Sequence, residues 1–542
     1  MEDHRNAGTG GHGPPLEGRP TIGLLVARLV SDHLWLGVRD VARERGANLI
    51  CFAGRRLRDP QQFEAQANVI FDLIESGHLV SRRDDAPAGP AACAGPRWNQ
   101  LDGLIVSTSA LGNHVSYEEI RGFCQRYHPL PVVSVGAMLH GIPSVTVDSY
   151  GGMREIVAHL VQVHGCRRIA FIPGIKGHYD AEARYRAYLD VLREAGLPFD
   201  PQLVAPHYDW RPEGGEVAVR VLLDERRVEI DALVAANDNG AHGALMALRK
   251  RGIRVPDDIA VTGFNDDEIA RLVTPPLTTV PLRMYERGRQ AAETLLALIE
   301  GQPVPECVRL PTHVVVRQSC GCLDPAVAEA AGPPLAAGAA YSHSASLASL
   351  GEQTLAKLTP ILGPGWATQV WCAFLQEIDQ GAEGTFLPTL SKALQEAAAA
   401  GRDLVSWQGA ISALRRCLLP ALFDDARRLV RAESLWGQAG LMVSEIARRA
   451  YGYRAWQHEQ QMHAVRVLGQ TLATVASMPE LLDVLARELP SLGISGCYLC
   501  LYEDPRAPTA WARLRLAYNQ AGRLELGDGQ RFPSRQLLPD GI

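Results

Sequence analysis

The run Ile259 to Phe264 is apolar, and Asn265, Asp266 and Asp267 follow it without a break. An amide and two carboxylates at the end of a strand can take hydrogen bonds from a small polar ligand, and in open parallel sheets the carboxyl ends of strands are where ligands are met. A solvated turn with a helix N-cap accounts for the same residue types. Arg28 and Asp32 follow the first apolar run in the same manner. Two close cysteine pairs occur, Cys320-Gly321-Cys322 and Cys497-x-x-Cys500. Neither has a second pair or a histidine at zinc spacing along the chain, so the expectation is no metal site. His458-Glu459 opens like a zinc-protease helix but lacks the second histidine, and reads as a solvated helix face. With no GxSxG elbow, P-loop or GxGxxG after the first strand, neither an enzyme nor a cofactor is expected.

The elements that must position these residues come from a 542-residue chain, long enough for two to four domains. A hydrophobic content of 46% with 21% charged residues fits a soluble globular protein, and a net charge of −6 gives no general drive toward nucleic acid or anionic membrane. The polar, Gly/Pro-rich N-terminus has no apolar core of a signal peptide, and no run of 18 uncharged apolar residues follows, so a cytoplasmic location is expected. Eleven scattered cysteines do not make a disulfide framework.

From Thr21 onward, short apolar runs alternate with helical patterns of 10 to 15 residues, the signature of βαβ units and a parallel sheet. The alternation restarts at Arg167, which makes two α/β halves in tandem. Residues 1–20 read as a disordered N-terminus, 80–99 as an insertion and 323–340 as a linker. Residues 341–476 carry helical stripes. In the stretch 434–475, Ile446, Tyr453, Gln460 and Val467 recur every seven residues, as in a dimeric coiled coil or a bundle helix, with a possible break at Gly452. Residues 477–542 hold one helix and alternating strands, an α/β unit that stops short.

Several motifs up to residue 322 occur together and in order. They are Asp102-Gly-Leu-Ile, Ser144-Val-Thr-Val-Asp148 followed by Gly151-Gly152, Gly165-Cys-Arg-Arg-Ile-Ala-Phe-Ile, Ala236-Asn237-Asp238, Val255 through Phe264, and Thr274-Pro-Pro-Leu-Thr-Thr279. This region resembles the effector-binding domain of the LacI/GalR family, itself similar to periplasmic sugar-binding proteins. The resemblance implies an α/β fold of two Rossmann-like lobes around a ligand cleft. Lobe 1 would span about 21–164 and 281–322 and lobe 2 about 165–280, with crossovers near Val163 to Cys166, Thr278 to Leu282 and Pro311 to Val314. An all-helical region and a truncated, GAF-like α/β unit would follow.

The same resemblance assigns ligand contacts to Asp148, Arg184, Trp210, Asn237, Asp238 and Asn265, and leaves a role open for Arg28. Arginine offers a rigid fork of donors, a carboxylate takes paired hydroxyls, and both strengthen when closure removes water. Asn265 stands where many relatives have Asp, so it can donate as well as accept. Family regulators carry a helix-turn-helix before this domain. Only 20 residues precede the first strand here, so DNA binding by that route is not expected in this chain. The expected function is a cytoplasmic sensor of a small, sugar-like molecule, homodimeric and part of a signalling or transcription-regulating protein. The alternatives are a transport solute-binding protein, or the sensory part of a histidine kinase or nucleotide cyclase.

Overall fold

A computed structural model of the chain describes residues 19–27, 33–58, 67–74, 101–323, 325–330, 350–379, 384–423, 425–519, 522–539 and 542. The expected N-terminal tail (to residue 18), the 80–99 insertion, most of the 323–340 linker and Arg28 lie outside these residues. Two compact units emerge. One comprises the chain to Cys322 with Leu485–Pro490 and Ile494–Ile542, and the other comprises Leu323–Val484 with Ser491–Gly493.

Lobe 1 runs β1 (Thr21–Val26), α1 (Leu34–Glu44), β2 (Asn48–Ala53), α2 (Val69–Asp72), β3 (Gly103–Val106), α3 (Thr108–Leu111), α4 (Tyr117–Gln125), β4 (Val132–Val135) and β5 (Ser144–Val147). Next come α5 (Ser149–Gln162), β6 (Ile169–Ile172), α6 (Tyr179–Glu194), α7 (Pro212–Val219), β7 (Ala232–Ala235), α8 (Asp238–Lys250), β8 (Ala260–Thr262) and α9 (Glu268–Leu272). The chain returns through α10 (Met284–Ile299) and β9 (Cys307–Leu310). Six parallel strands form the first sheet in the order β2-β1-β3-β4-β5-β9, and β6-β7-β8 form the second.

The strands β3, β4, β5, β6 and β7 are buried at every position because helices cover both faces, which is why their sequences lack polar alternation. Helix α1 buries Leu34, Val38, Val41 and Ala42, one stripe at helical spacing, against Ala291, Ala292, Leu295 and Leu296 of α10 and the sheet face of Leu24 and Val133. Each such Leu or Val contributes about 1.5–3 kcal/mol when fully buried.

The lobe boundaries differ from those expected. Met153, Ile156, Val157 and Leu160 of α5 pack with Phe171, Tyr188 and Val234 in the lobe 2 core. The first crossing therefore falls at Asp148, before the helix, and not near Val163 to Cys166. After β9, Val314, Val316 and Cys320 join the same core, and Val315 bridges Thr279. Residues 314–322 thus close lobe 2, where the motif spacing placed them in lobe 1. The reason is local: the return strand after Pro311 finds its apolar partners in Val280 and Phe264.

The second unit is helical: α11 (Pro325–Ala330), α12 (Gly351–Leu362), α13 (Pro364–Asp379), α14 (Phe386–Ala399), α15 (Trp407–Leu422) and α16 (Ala426–Thr474), with α17 (Met478–Glu488) after it. Its core holds Phe374, Phe386, Trp407, Leu414 and Trp436, with Phe374 and Trp436 stacked at 5.6 Å. Helix α16 continues through Gly452 unbroken for 49 residues. Ile446 packs on this core, whereas Tyr453, Trp456 and Val467 are exposed. The C-terminal strands β10 (Cys497–Tyr502), β11 (Trp511–Asn519), β12 (Gly522–Arg523) and β13 (Gln530–Pro533) form a small antiparallel sheet. Among the described residues no helix is long and apolar enough to cross a membrane.

Candidate functional site

Between the lobes lies a cleft of about 1090 Å³. Lobe 1 lines it with Thr108, Ser109 and Asn113 after β3, and lobe 2 with Lys176, His178, Asp180 and Arg186 after β6. Asp148 and Ser149, at the first crossing, line it as well. Both walls are thus built from the loops and helix starts that follow strands at their carboxyl ends, the position at which an open α/β sheet meets a ligand.

Asp148 is the N-cap of α5, and its Oδ1 accepts the Gly151 N–H at 3.0 Å. The cap and the cleft position coexist in one residue. Ser149 donates from Oγ to Asp180 Oδ1 at 2.9 Å, and Asp180 is itself buried. Behind this pair sits Arg184, only 3% exposed. Its Nη1 donates to the carbonyl of Ala236 at 2.6 Å and its Nη2 to Ser149 Oγ at 3.4 Å. The guanidinium carbon lies 3.7 Å from the centroid of the Phe264 ring, a cation–π contact. Burial pulls the Arg184 pKa down to about 10, with Asp180 and Asp238 opposing, so it remains charged at neutral pH. Its hydrogen-bond acceptors among the described residues are both neutral.

His178 reaches across the cleft, its Nε2 lying 3.2 Å from the carbonyl oxygen of Ser109 in lobe 1. Its ring meets Trp210 edge-on at 5.2 Å. Trp210 lies over Gly174, where an added Cβ would come within 2.1 Å of the indole, so the position requires glycine. Desolvation lowers the His178 pKa, and Arg184 adds to this while Asp180 opposes it. Three buried polar atoms around this floor lack a hydrogen-bond partner: Arg184 Nε, His178 Nδ1 and Asn265 Oδ1.

The other expected residues gather at the ends of β7 and β8 and are engaged in holding the backbone. Asn237 caps α8, accepting from Gly240 N–H at 3.0 Å, and donates to the Trp210 carbonyl at 3.0 Å. Asp238 is fully buried and accepts the Asp267 N–H at 2.8 Å and the Thr279 hydroxyl at 2.6 Å. Burial pushes its carboxyl up to about 7, against the pull of the Thr279 hydrogen bond. Of the expected contacts that are described, only Asp148 lines the cleft; Arg184, Trp210, Asn237, Asp238 and Asn265 lie behind its wall or away from it.

Asn265 has φ 128° and Asp266 φ 55°, backbone conformations that cost an L-residue energy and cluster at functional sites. Asn265 donates to Asp267 Oδ2 at 3.1 Å. Asp266 pairs with Arg317 at 2.6 Å and Arg271 at 2.9 Å, and Asp267 takes the N-cap position of α9. Pro275-Pro276 follows the end of α9, as its sequence implies.

Ser149, His178 and Asp180 were not singled out from the sequence. Their signal was available only as position, since all three follow a strand end and precede or open a helix.

The class of protein follows from this arrangement: two Rossmann-like lobes and an interlobe cleft form a periplasmic-binding-protein-like domain. Residues 157–320 match the model of the periplasmic binding protein-like domain family. The chain is similar to the HTH-type transcriptional regulator CelR of Thermobifida fusca, 36% identical over 196 residues, which are 35% of this chain and 56% of that protein. It is similar to the ribose operon repressor of Halalkalibacterium halodurans at 30% identity, over 40% of this chain and 62% of that protein. The repressor CytR of Escherichia coli is 31% identical over 41% of this chain and 64% of its own length. Among solved structures, a CelR–cellobiose complex aligns with 27% identity and a TM-score of 0.44, covering 56% of this chain and 86% of that one. The chain thus spans 56 to 64% of the length of these curated relatives. It contains a periplasmic-binding-protein-like domain that resembles the ligand-sensing domain of LacI-family transcriptional regulators.

Proposed function

We propose that residues 21–322 are the ligand-sensing module of a cytoplasmic, homodimeric regulatory protein, and that closure of the two lobes on a small polar molecule is its signal. One observation carries this reading: a buried, charged Arg184 with only neutral hydrogen-bond partners and its Nε unpaired, with two further buried polar atoms of the same lobe unpaired, His178 Nδ1 and Asn265 Oδ1. An unpaired buried charge is costly, and a ligand that presents an electronegative oxygen to Nε and a donor to His178 Nδ1, whose Nε2 proton is taken by the Ser109 carbonyl, offsets that cost. Asp148 and Asp180 would take ligand hydroxyls, and Trp210 would wall one side against an apolar sugar or base face. Sugars and nucleosides fit this chemistry, and a ribose operon repressor and CelR are among the relatives. Asn237 serves the ligand by holding the Trp210 backbone, and Asp238 by holding the loop that carries Asn265. In α16, Ile446 is committed to its own bundle, so a dimer seam along that helix would begin at Tyr453 and include Val467.

A thermal-shift screen of the full chain against neutral sugars, sugar phosphates and nucleosides tests the proposal. A true ligand stabilises by about 2.7 kcal/mol at one hundred times its dissociation constant. A ligand that shifts the wild type and Arg184→Met equally would overturn the site.

A further inference from the structure

The loop that ends lobe 2 brings four metal-ligating side chains to one point. His159 lies in the last turn of α5 and His164 follows that helix, while Cys320 and Cys322 flank Gly321 about 160 positions later. Their donor atoms all lie within 4.8 Å of one another. His159 Nε2 is 3.3 Å from His164 Nε2, 3.6 Å from Cys320 Sγ and 3.5 Å from Cys322 Sγ, and Cys322 Sγ is 3.3 Å from His164 Nε2.

We infer that His159, His164, Cys320 and Cys322 form a tetrahedral zinc site that fastens the end of the ligand-binding domain to lobe 2. Zinc bonds of about 2.3 Å to sulfur and about 2.0–2.1 Å to nitrogen place tetrahedral donors about 3.4 Å apart for two nitrogens and about 3.6 Å apart for nitrogen and sulfur. These four separations match those figures within a few tenths of an ångström, and the other two pairs of donors lie within 4.8 Å. Hydrogen bonding does not explain the same geometry. A neutral ring nitrogen carries one proton or one lone pair, yet His159 Nε2 faces three partners at once, one of them the corresponding nitrogen of His164. Two histidine nitrogens pointing at each other and at two thiols share too few protons to satisfy all these contacts, whereas one divalent ion satisfies the four donors.

The surroundings hold these donors in place. A tight turn over Gln318–Cys320 ends at Gly321, whose φ of 106° favours glycine, and an added Cβ there would lie 3.2 Å from the His164 ring. Ser319 Oγ donates to the Val261 carbonyl at 2.6 Å and accepts the Thr278 N–H at 2.8 Å, tying the turn to β8 and the second crossing. Thr278 Oγ1 donates to Cys320 Sγ at 3.1 Å, the type of outer hydrogen bond that orients a thiolate ligand. Cys320 is 2% exposed. Four protein ligands leave no open position, so the metal is structural. It fixes residue 322, at the end of the first segment of that unit, to the helix that follows the first crossing.

The test uses the full chain purified without chelator. Elemental analysis should find about one zinc per chain, and exchange with cobalt should give the visible bands of tetrahedral, thiolate-bound cobalt. Against a competing chelator, Cys322→Ser and His164→Ala should weaken zinc retention by at least the roughly 10–100-fold that loss of an outer-shell partner costs. Cys322→His, which keeps a ligand, should retain zinc, and Cys51→Ser should leave retention unchanged. If a variant fails to fold, the wild-type cobalt spectrum decides. Wild-type protein that takes up neither added zinc nor cobalt, or that shows a Cys320–Cys322 disulfide in place of metal, would overturn the inference.

Discussion

Behind Ser149, which lines the cleft, Arg184 is buried against the Ala236 carbonyl, the Ser149 hydroxyl and the Phe264 ring, with Nε unpaired. A short distance along the same lobe, Asp238 is equally buried but has both oxygens engaged, by the Asp267 N–H and the Thr279 hydroxyl. Both are charged residue types of lobe 2, Asp238 just after β7 and Arg184 on α6. The difference teaches how to divide a polar cluster into scaffold and binding surface. A buried group whose hydrogen bonds are complete within the protein holds structure, and one whose bonds are incomplete is available to a ligand.

The comparison breaks most visibly at Asp238. Asp238→Ala leaves a backbone N–H and a buried hydroxyl without acceptors, each costing about 1–3 kcal/mol. A loss of about 2 to 6 kcal/mol in urea unfolding is expected. A loss below 1 kcal/mol, measured the same way, would mean that the brace is unimportant.

A smaller effect is expected at Asn265. Its Nδ2 donates to Asp267, whose carboxyl burial already pushes up. Asn265→Asp would set two carboxylates against each other and destabilise by about 1–2 kcal/mol at neutral pH. The deficit should shrink in mild acid as the pair takes up a proton. Equal unfolding midpoints for variant and wild type at neutral pH would show that the Asn265–Asp267 contact does not form.

The smallest effect concerns His178. Its pKa is lowered in the folded chain by desolvation, so the unfolded chain binds a proton first as pH falls. The stability held above the ordinary value of 6.5 is therefore lost as pH drops through the interval between 6.5 and the lower folded value. His178→Asn should flatten this part of the pH–stability curve. Curves of wild type and variant that remain parallel below neutral pH would contradict the assignment.

Much of this was legible in the sequence, for physical reasons that differ by residue. Strands such as 169–172 and 232–235 are continuous apolar runs between helical patterns, and they were placed correctly. Asp148, which lines the cleft, stands in one of the ordered motifs, whereas Arg184 was assigned by the resemblance alone. The lobe boundary at Asp148 was not legible, because the apolar stripe of α5 suits either lobe and only tertiary packing chooses. The ion pairs of Asp266 with Arg317 and Arg271 involve one partner 51 positions away. The histidine–cysteine cluster was invisible for the same reason: spacing rules for zinc compare near neighbours, and His164 and Cys322 stand 158 positions apart.

The measurement that bears most directly on the central claim is calorimetric titration of a ligand from the screen into the wild type and Arg184→Met. Replacing a buried, unpaired guanidinium with an apolar side chain of similar length should leave the fold as stable or more stable, while removing about 2–5 kcal/mol of binding. A folded Arg184→Met protein with unchanged affinity would contradict the account.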